Sequence, residues 1–257
     1  MDGTLTPARK PMSMPMVNKL NELLDYAKVG IVTGSGINYI KEQCKPILER
    51  NIKLDNIILM PCNGTMMHKH KDGNWQQEFG VSMEEELGIH NFRKLIKILL
   101  KLQYEFVCND DNEDVPFIGH FISYRESLLN WCPLGRDATF SYREEFVKKD
   151  QERNIRKRLH ASLKENLEAA GINGITAALG GNTSIDIYPT GWDKSFALWH
   201  FPEYEIWFVG DRCVGDGNDR AIYDALAPHN RAYQTTSPEQ TIEIIDKIIT
   251  MVQHKTL

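Results

Sequence analysis

The sequence predicts a parallel α/β core that is interrupted by an inserted α+β block. Short apolar, β-branched runs occur near both ends of the chain, and they alternate with stretches of helical apolar spacing. Between residues 82 and 189 the pattern instead resembles that of an α+β domain. We therefore expect a discontinuous core formed by residues 1–81 and 190–257, with a second domain at 82–189.

The first part of the core contains two predicted buried strands. Val29–Thr33 ends at a Thr-Gly-Ser-Gly loop, and Ile57–Met60 is a second apolar run. A helix over Ile37–Leu48, disturbed at Pro46, is expected between them, and residues 65–79 predict a β-hairpin around an Asp-Gly turn. A further helix before the first strand is indicated by helical apolar spacing at Met16, Leu20, Leu23, Leu24 and Ala27.

The inserted block begins with a helix that is capped by Ser82 and Glu85 and extends to about Tyr104. Its remaining predicted elements are the strands Phe117–Tyr124 and Ser127–Pro133, a long helix Glu144–Ala170, and the strands Ile175–Ala178 and Thr183–Tyr188. The α/β alternation then resumes with a helix after Asp193, strand Ile206–Val209, helix Asp219–Leu226, strand Arg231–Gln234 and helix Ser237–Val252.

The composition of the chain restricts the kinds of molecule that it is expected to bind. The 257 residues are 42% hydrophobic and 25% charged with a formal net charge of −5, so the chain has no general basic field for nucleic acid or anionic membranes. An anionic ligand must then be bound by a local group of Arg and Lys. Because the sequence has neither a long apolar run nor a hydrophobic signal segment, we expect a soluble, cytoplasmic protein without a membrane partner.

Other residue types are interpreted as structural. The five cysteines are scattered and none are paired as Cys-x-x-Cys, which favours reduced thiols over disulfides or zinc. The basic run Arg153–Arg158 lies among acids and predicts a solvated helix face. The tryptophans expected in the core are Trp131, Trp192, Trp199 and Trp207.

Four polar clusters follow predicted core strands, where open α/β sheets bind ligands. They are Asp2-Gly3-Thr4, Thr33-Gly34-Ser35, Gly191-Trp192-Asp193-Lys194, and Gly210-Asp211-Arg212 with Gly217-Asn218-Asp219. The hydroxyls and amides of the second cluster suit phosphate oxygens. Lys194 would stabilise charge on a transferring phosphoryl group, and carboxylates directly after a strand suit Mg²⁺. The alternatives are a solvated charge for Lys194 and a helix N-terminal acid for Asp219.

The order of these clusters resembles that of haloacid dehalogenase-like phosphotransferases. Residues 1–6, Met-Asp-Gly-Thr-Leu-Thr, are similar to the second half of the motif Asp-x-Asp-Gly-Thr-Leu-Thr. In that motif the first Asp attacks phosphorus and the second acts as acid and base, so Asp2 matches the second. The resemblance implies a Rossmann-like haloacid dehalogenase core with an inserted α+β cap of type C2.

Motifs in the inserted block resemble eukaryotic-type phosphomannomutase. They include residues 121–125 (Phe-Ile-Ser-Tyr-Arg), 128–130 (Leu-Leu-Asn) and 133–136 (Pro-Leu-Gly-Arg) with Arg143. The segment 180–186 (Gly-Gly-Asn-Thr-Ser-Ile-Asp), followed by 191–194 (Gly-Trp-Asp-Lys), is the most specific of them. The similarity extends over nearly the whole chain.

The resemblance implies a role for each matching residue. Asp2 and Lys194 would be catalytic, and Mg²⁺ would be held by Asp2, Asp211 and Asp219. The substrate would be bound by Arg9, Ser35, Arg125, Arg136, Arg143, Ser184 and Asp186. Forked guanidinium groups suit the second phosphate of a hexose bisphosphate, although Arg125 and Arg143 have an alternative as surface ion pairs with Glu126, Glu144 or Glu145.

The implied reaction interconverts mannose 6-phosphate and mannose 1-phosphate through a phosphoaspartyl enzyme. Hexose 1,6-bisphosphate would be both intermediate and activator, the product would serve GDP-mannose synthesis, and the protein would be a homodimer through its cap. The nucleophilic Asp falls at the position before Met1, and losing it costs roughly a millionfold in turnover. We expect that the start was assigned too late, rather than that the protein is truncated.

Two residues depart from the family pattern. Thr33 and Asp216 stand where the family usually has Gly, and both changes favour the phosphatases of the same superfamily. A Mg²⁺-dependent sugar-phosphate phosphatase therefore stays as an alternative, as does a truncated protein that binds sugar phosphates without turnover. The choice between mannose and glucose phosphates also stays open.

Overall fold

The structure is a computed structural model that describes residues 1–50 and 53–255. The chain divides into two units. The core unit consists of Met1–Gly80 and Trp192–Leu257, and the cap unit consists of Val81–Gly191. The block 82–189 that the sequence predicts as an insertion lies within the cap unit.

The first part of the core unit has the predicted order of elements. Helix α1 (Met14–Leu23) precedes strand β1 (Val29–Val32), which pairs in parallel with β2 (Ile57–Met60). The disturbed helix predicted between these strands is two helices, α2 (Ile37–Gln43) and α3 (Lys45–Leu48). Pro46 explains the division, because proline lacks the amide hydrogen that a helix interior needs but is accommodated in a first turn, here that of α3.

The predicted hairpin is confirmed as β3 (Met66–Lys71) and β4 (Asn74–Gly80), which are antiparallel. Its two turn residues, Asp72 and Gly73, both have positive φ angles, of 51° and 78°. A two-residue turn of this kind matches the twist of the flanking strands. The four strands form one sheet in the order β1-β2-β3-β4.

The cap unit begins with α4 (Met83–Val107), and the Ser82 Oγ accepts a hydrogen bond from the Glu85 amide, as the capping pattern predicts. Strands β5 (Ile122–Tyr124) and β6 (Leu129–Trp131) are shorter than predicted. Positive φ angles at Phe117 and Gly119 interrupt the extended backbone before β5.

The long helix predicted over Glu144–Ala170 is also two helices, α5 (Phe140–Arg153) and α6 (Ile155–Ala169). They are separated by Asn154, which adopts the left-handed conformation with φ 51°. Strands β7 (Ile175–Gly180) and β8 (Ser184–Pro189) complete the unit.

The cap sheet is antiparallel, with the order β5-β6-β8-β7. Its register places Ser123 opposite Asn130, and Asn130 opposite Asp186. Alternate residues on the same strands, such as Trp131 and Ile185, are fully buried, and the Trp131 indole donates to Gln103 of α4 at 2.7 Å. One face of the sheet therefore packs on helix α4, and the opposite face carries polar side chains.

In the rest of the core unit, the helix predicted after Asp193 is a 3₁₀ helix over Lys194–His200. The unit continues with β9 (Phe208–Gly210), α7 (Arg220–Leu226), β10 (Ala232–Gln234) and α8 (Pro238–Lys255). Strands β9 and β10 pair in parallel.

The parallel strands of the core unit belong to two separate sheets. Within residues 1–50 and 53–255, β1 pairs only with β2, and β9 pairs only with β10. A cavity of about 720 Å³ is lined by residues of both β1 and β9, together with apolar side chains that include Ile58, Ile222 and Ile245. The core thus differs from the single parallel sheet that the alternation of strands and helices predicts.

In the part of the chain that the structure describes, none of the helices combines the length and apolar character needed to cross a membrane.

Candidate active site

A tight turn at Gly3 positions Asp2. The Gly3 amide donates to the Thr6 carbonyl at 2.7 Å, the Leu5 amide donates to the Met1 carbonyl at 2.8 Å, and Gly3 has a φ of 76°. A side chain at this position is disfavoured twice, because a Cβ on Gly3 would also lie 2.6 Å from the Asp211 Oδ2. Glycine therefore lets the Asp211 carboxylate approach the backbone of the Asp2 turn.

The Asp2 carboxylate is held by two donors. The Tyr39 hydroxyl lies 2.9 and 3.0 Å from its two oxygens, and the Arg9 amide donates to Oδ1 at 3.1 Å. Burial, followed by the negative charge of Asp2, raises the pKa of Tyr39. Tyr39 therefore stays protonated and donates to Asp2. The sequence pattern does not reveal the role of Tyr39, although this residue lies in the first turn of α2, directly after the Thr33–Ser35 loop.

A hydrogen bond joins the first and fourth polar clusters. The buried Thr4 hydroxyl donates to the Asp211 Oδ1 at 2.8 Å, across 207 positions of sequence. Asp211 follows β9, as predicted from the apolar run before it. The carboxyl end of a core strand therefore carries an acid beside the Asp2 turn.

Lys194 and Asp219 form a buried ion pair, with exposed fractions of 4% and 2%. The Lys194 Nζ donates to the Asp219 Oδ1, and the Arg212 amide donates to Oδ2 at 3.0 Å. Burial alone would raise the pKa of Asp219, but the charge of Lys194 lowers it to about 2. The alternative of a solvated surface charge is therefore wrong for Lys194.

Two contacts join these polar clusters. Thr4 of the first cluster contacts Asp211 of the fourth, and Lys194 of the third contacts Asp219 of the fourth. The first, third and fourth polar clusters therefore lie together in the core unit. Ser35 of the second cluster is half-buried in the loop after β1, where its amide donates to the Thr33 Oγ1 at 3.2 Å.

The oxygen atoms of this site suit Mg²⁺. No group of three or more His, Cys, Asp or Glu side chains is arranged to hold a metal ion within the described residues. Mg²⁺, however, usually takes one or two carboxylates together with phosphate and water, and the Asp211 Oδ2 lies where Gly3 has no side chain. Both Asp219 oxygens accept protein hydrogen bonds, so its role as a metal ligand stays a prediction.

A second polar network lies on the polar face of the cap sheet, where Asn130, Ser184 and Asp186 are all buried. Asn130 donates from its Nδ2 to the Ser184 Oγ at 2.9 Å and to the Asp186 Oδ1 at 2.6 Å. The Arg136 Nη1 donates to the Asn130 Oδ1. Three predicted substrate-binding residues are thus connected through one side chain that we had not assigned.

Arg143 is buried, with 7% of its surface exposed. Its guanidinium donates to the carbonyls of Ala138 at 3.1 Å and Arg136 at 2.5 Å, and to the Thr183 hydroxyl at 2.9 Å. These contacts join the loop after β6 to the start of β8. Arg143 is therefore an interior residue, unlike the surface ion pair that we had kept as its alternative.

The other arginines differ in their surroundings. Arg125 is half-buried after β5, and Arg9 is exposed although its amide reaches Asp2. Arg156, predicted on a solvated helix face, instead pairs with Asp150 at 2.7 Å and donates to the carbonyls of Gly181 and Ser184. That prediction is wrong for Arg156, because a charge pattern does not reveal which helix face meets the sheet.

Solved structures of low sequence identity show a similar fold. The chain matches an IMP-nucleotidase of Plasmodium falciparum with a TM-score of 0.62 at 14% identity, covering 96% of this chain and 59% of that one. It matches a trehalose-6-phosphate phosphatase of Aspergillus fumigatus with a TM-score of 0.53 at 16% identity, covering 98% and 90%. These proteins share the fold of this chain, an α/β core with an α+β cap, as predicted.

Sequence comparison narrows the class to one family. The model of eukaryotic phosphomannomutase matches residues 16–251, and the chain belongs to this family. It is 33% identical to a phosphomannomutase of Arabidopsis thaliana over 245 residues, which are 94% of this chain and 91% of the relative. It is also 33% identical to phosphomannomutase 2 of Dictyostelium discoideum, covering 96% and 93%.

Proposed function

We propose that this protein interconverts mannose 6-phosphate and mannose 1-phosphate through hexose 1,6-bisphosphate. The observation that carries the proposal is the cap network, in which Asn130 connects Arg136 with Ser184 and Asp186. A guanidinium beside a hydroxyl and a carboxylate suits a ligand that has both phosphate and sugar hydroxyl groups. The core unit provides the separate chemistry of phosphoryl transfer.

In the core unit, Asp2 would act as general base and then as general acid. Asp2 takes the proton from the attacking sugar hydroxyl. At the same time the bond between the phosphoryl group and the nucleophilic aspartate breaks, and the phosphoryl group bonds to the sugar oxygen. In the reverse step Asp2 returns the proton to the departing sugar oxygen. Tyr39 and the Arg9 amide orient the carboxylate. The family resemblance assigns the phosphorylated aspartate to the position before Met1.

The second requirement of this chemistry is that the negative charge on the transferring phosphoryl group be stabilised. Lys194 would stabilise the equatorial oxygens, with Asp219 fixing the direction of its ammonium group. Asp2 and Asp211 would hold Mg²⁺, which supplies additional charge stabilisation when bound. Ser35 would donate to the same phosphoryl oxygens from the loop after β1.

The test compares two forms of the protein, the chain as given and a form with Asp placed before Met1. Each is incubated with mannose 1-phosphate, Mg²⁺ and hexose 1,6-bisphosphate, and both mannose 6-phosphate and inorganic phosphate are measured. We expect isomerisation by the second form to exceed release of phosphate, and to require the bisphosphate. Faster release of phosphate than isomerisation would instead support the sugar-phosphate phosphatase.

A third outcome separates binding from catalysis. If mannose 1-phosphate raises the unfolding temperature of both forms and neither converts it, the protein binds sugar phosphates without turnover. The same experiment with glucose 1-phosphate tests the preference between hexoses.

We further propose a cytoplasmic homodimer, formed through the cap, that supplies GDP-mannose synthesis. The family resemblance supports the dimer. Light scattering after size-exclusion chromatography tests the dimer, because a mass near that of one 29.5 kDa chain would contradict it.

A further inference from the structure

Asn130 occupies the centre of the polar face of the cap sheet. It lies on β6, is 3% exposed, and is paired directly with Asp186 of β8. Residues that are opposite each other on antiparallel strands have neighbouring side chains. The contact between Asn130 and Asp186 is therefore set by the register of the sheet.

The orientation of the Asn130 amide follows from the chemistry of its neighbours. A guanidinium only donates hydrogen bonds and a carboxylate only accepts them. The Asn130 oxygen must therefore face Arg136, and its amino group must face Asp186 and Ser184. The Ser184 hydroxyl donates to the Gly180 carbonyl at 2.8 Å, which leaves its oxygen as the acceptor for Asn130.

We propose that Asn130 is a positioning residue for the sugar phosphate. Through one amide it directs the Arg136 guanidinium, which binds phosphate oxygens, and the Ser184 and Asp186 groups, which bind the ligand beside it. The inference rests on the proposed function, because it assumes that these three residues bind a hexose phosphate. Asparagine suits this place because its short side chain both accepts from a cation and donates to an anion.

The test uses the full chain and titrates mannose 1-phosphate by calorimetry, with Asn130→Ala compared to the unsubstituted protein. We expect the affinity to fall roughly tenfold or more, because the hydrogen bonds lost involve charged groups. Asn112→Ala is the matched control, since Asn112 is also 3% exposed in the cap unit and donates to the Phe106 carbonyl at 2.9 Å. It should lose stability while keeping its affinity for the ligand.

A double-mutant cycle separates positioning from a merely structural role. Once Arg136→Ala has removed the guanidinium, adding Asn130→Ala should cost clearly less affinity than it does alone. Independent, additive losses would overturn the proposal. If Asn130→Ala fails to fold, Asn130→Asp replaces it as the test variant, because aspartate keeps the shape of the asparagine side chain. Its carboxylate would attract Arg136 and repel Asp186, so it too should lose tenfold or more.

These measurements test the positioning role of Asn130 and the proposed function separately. Equal affinities for the unsubstituted chain and the Asn130 variants reject the positioning role and leave the proposed function intact. Failure of the unsubstituted chain to bind mannose 1-phosphate rejects the proposed function, and the positioning role with it.

Discussion

The cations of the two candidate sites, Lys194 in the core unit and Arg136 and Arg143 in the cap unit, differ in the groups that they contact. In the core unit the Lys194 ammonium meets the Asp219 carboxylate, and both groups are buried. In the cap unit the described contacts of Arg136 and Arg143 are with an amide oxygen, a hydroxyl and backbone carbonyls. The described partner of Lys194 thus carries a full negative charge, whereas the contacts described for the two arginines are with neutral oxygens.

The difference shows how the contacting group suits the task. A carboxylate lowers the cost of burying an ammonium group, and its own pKa is lowered in return, to about 2 for Asp219. A neutral oxygen fixes the direction of a guanidinium without adding a negative charge at that contact. The first arrangement suits a site that must stay charged in the interior. The second suits recognition of an anion by geometry.

The largest expected effect is in the core pair. Lys194→Met leaves the Asp219 carboxylate buried without its cation, and we expect the free energy of unfolding to fall by about 3–5 kcal/mol. Urea unfolding measures it. Arg220→Met is the control, because Arg220 and Asp224 form an exposed pair at 3.2 Å and should contribute less than about 1 kcal/mol. Similar losses for both variants would remove the distinction between the buried and exposed pairs.

A smaller loss is expected from Arg143 of the cap. Arg143→Met leaves the Ala138 and Arg136 carbonyls and the Thr183 hydroxyl without this donor, which should cost roughly 2 kcal/mol in urea unfolding. Arg143→Lys should recover only part of it, because an ammonium does not reproduce the planar fork. Full recovery by Lys would show that charge, and not geometry, is what this position requires.

The next prediction concerns Tyr39, the neutral hydrogen-bond donor to Asp2 in the core unit. Because its pKa is raised above 10.0, the folded state keeps this proton when the unfolded state begins to lose it. The resulting stability is present below pH 10 and is lost as the pH rises further. Tyr39→Phe should lower the free energy of unfolding by about 1 kcal/mol at neutral pH and flatten its alkaline decline. An unchanged alkaline profile would contradict this assignment.

The smallest effect is expected at the surface of the cap. A hydrogen bond from Arg153, at 2.9 Å, lowers the pKa of Asp114 below its usual 3.8. The contribution is present above that value and is lost as the pH falls below it. Asp114→Asn should therefore change the acid limb of unfolding by less than about 1 kcal/mol, since the pair is exposed. A change as large as that of Lys194→Met would reverse the expected order.

Local rules explain most of the elements that were predicted correctly. The Asp72-Gly73 turn and the Ser82 cap depend on residues within a few positions of each other, and both are present. Rules of the same range missed the left-handed Asn154, where a continuous charged pattern predicted one helix instead of two. Nor does local sequence reveal exposure, because Trp199, predicted in the core, is 80% exposed whereas Trp131 is fully buried.

The residues of the candidate sites also fall into two groups, those that local sequence reveals and those that it does not. Asp2, Lys194 and Asp211 were found because their motifs are contiguous and follow apolar strands. Tyr39 and Asn130 were missed because their importance comes from contacts with residues 37 and 56 positions away. A residue type alone does not show such a contact.

From the order of residues alone came the class of fold, the family resemblance and the polar clusters at the strand ends. Those features depend on local backbone preference and on contiguous motifs, which a linear pattern contains. Only the tertiary structure decided that Lys194 meets Asp219, that Tyr39 meets Asp2, and that Asn130 joins Arg136 to Asp186. Each of these contacts needs the chain to fold back on itself, and the contact between Asn130 and Asp186 also needs the register of the cap sheet.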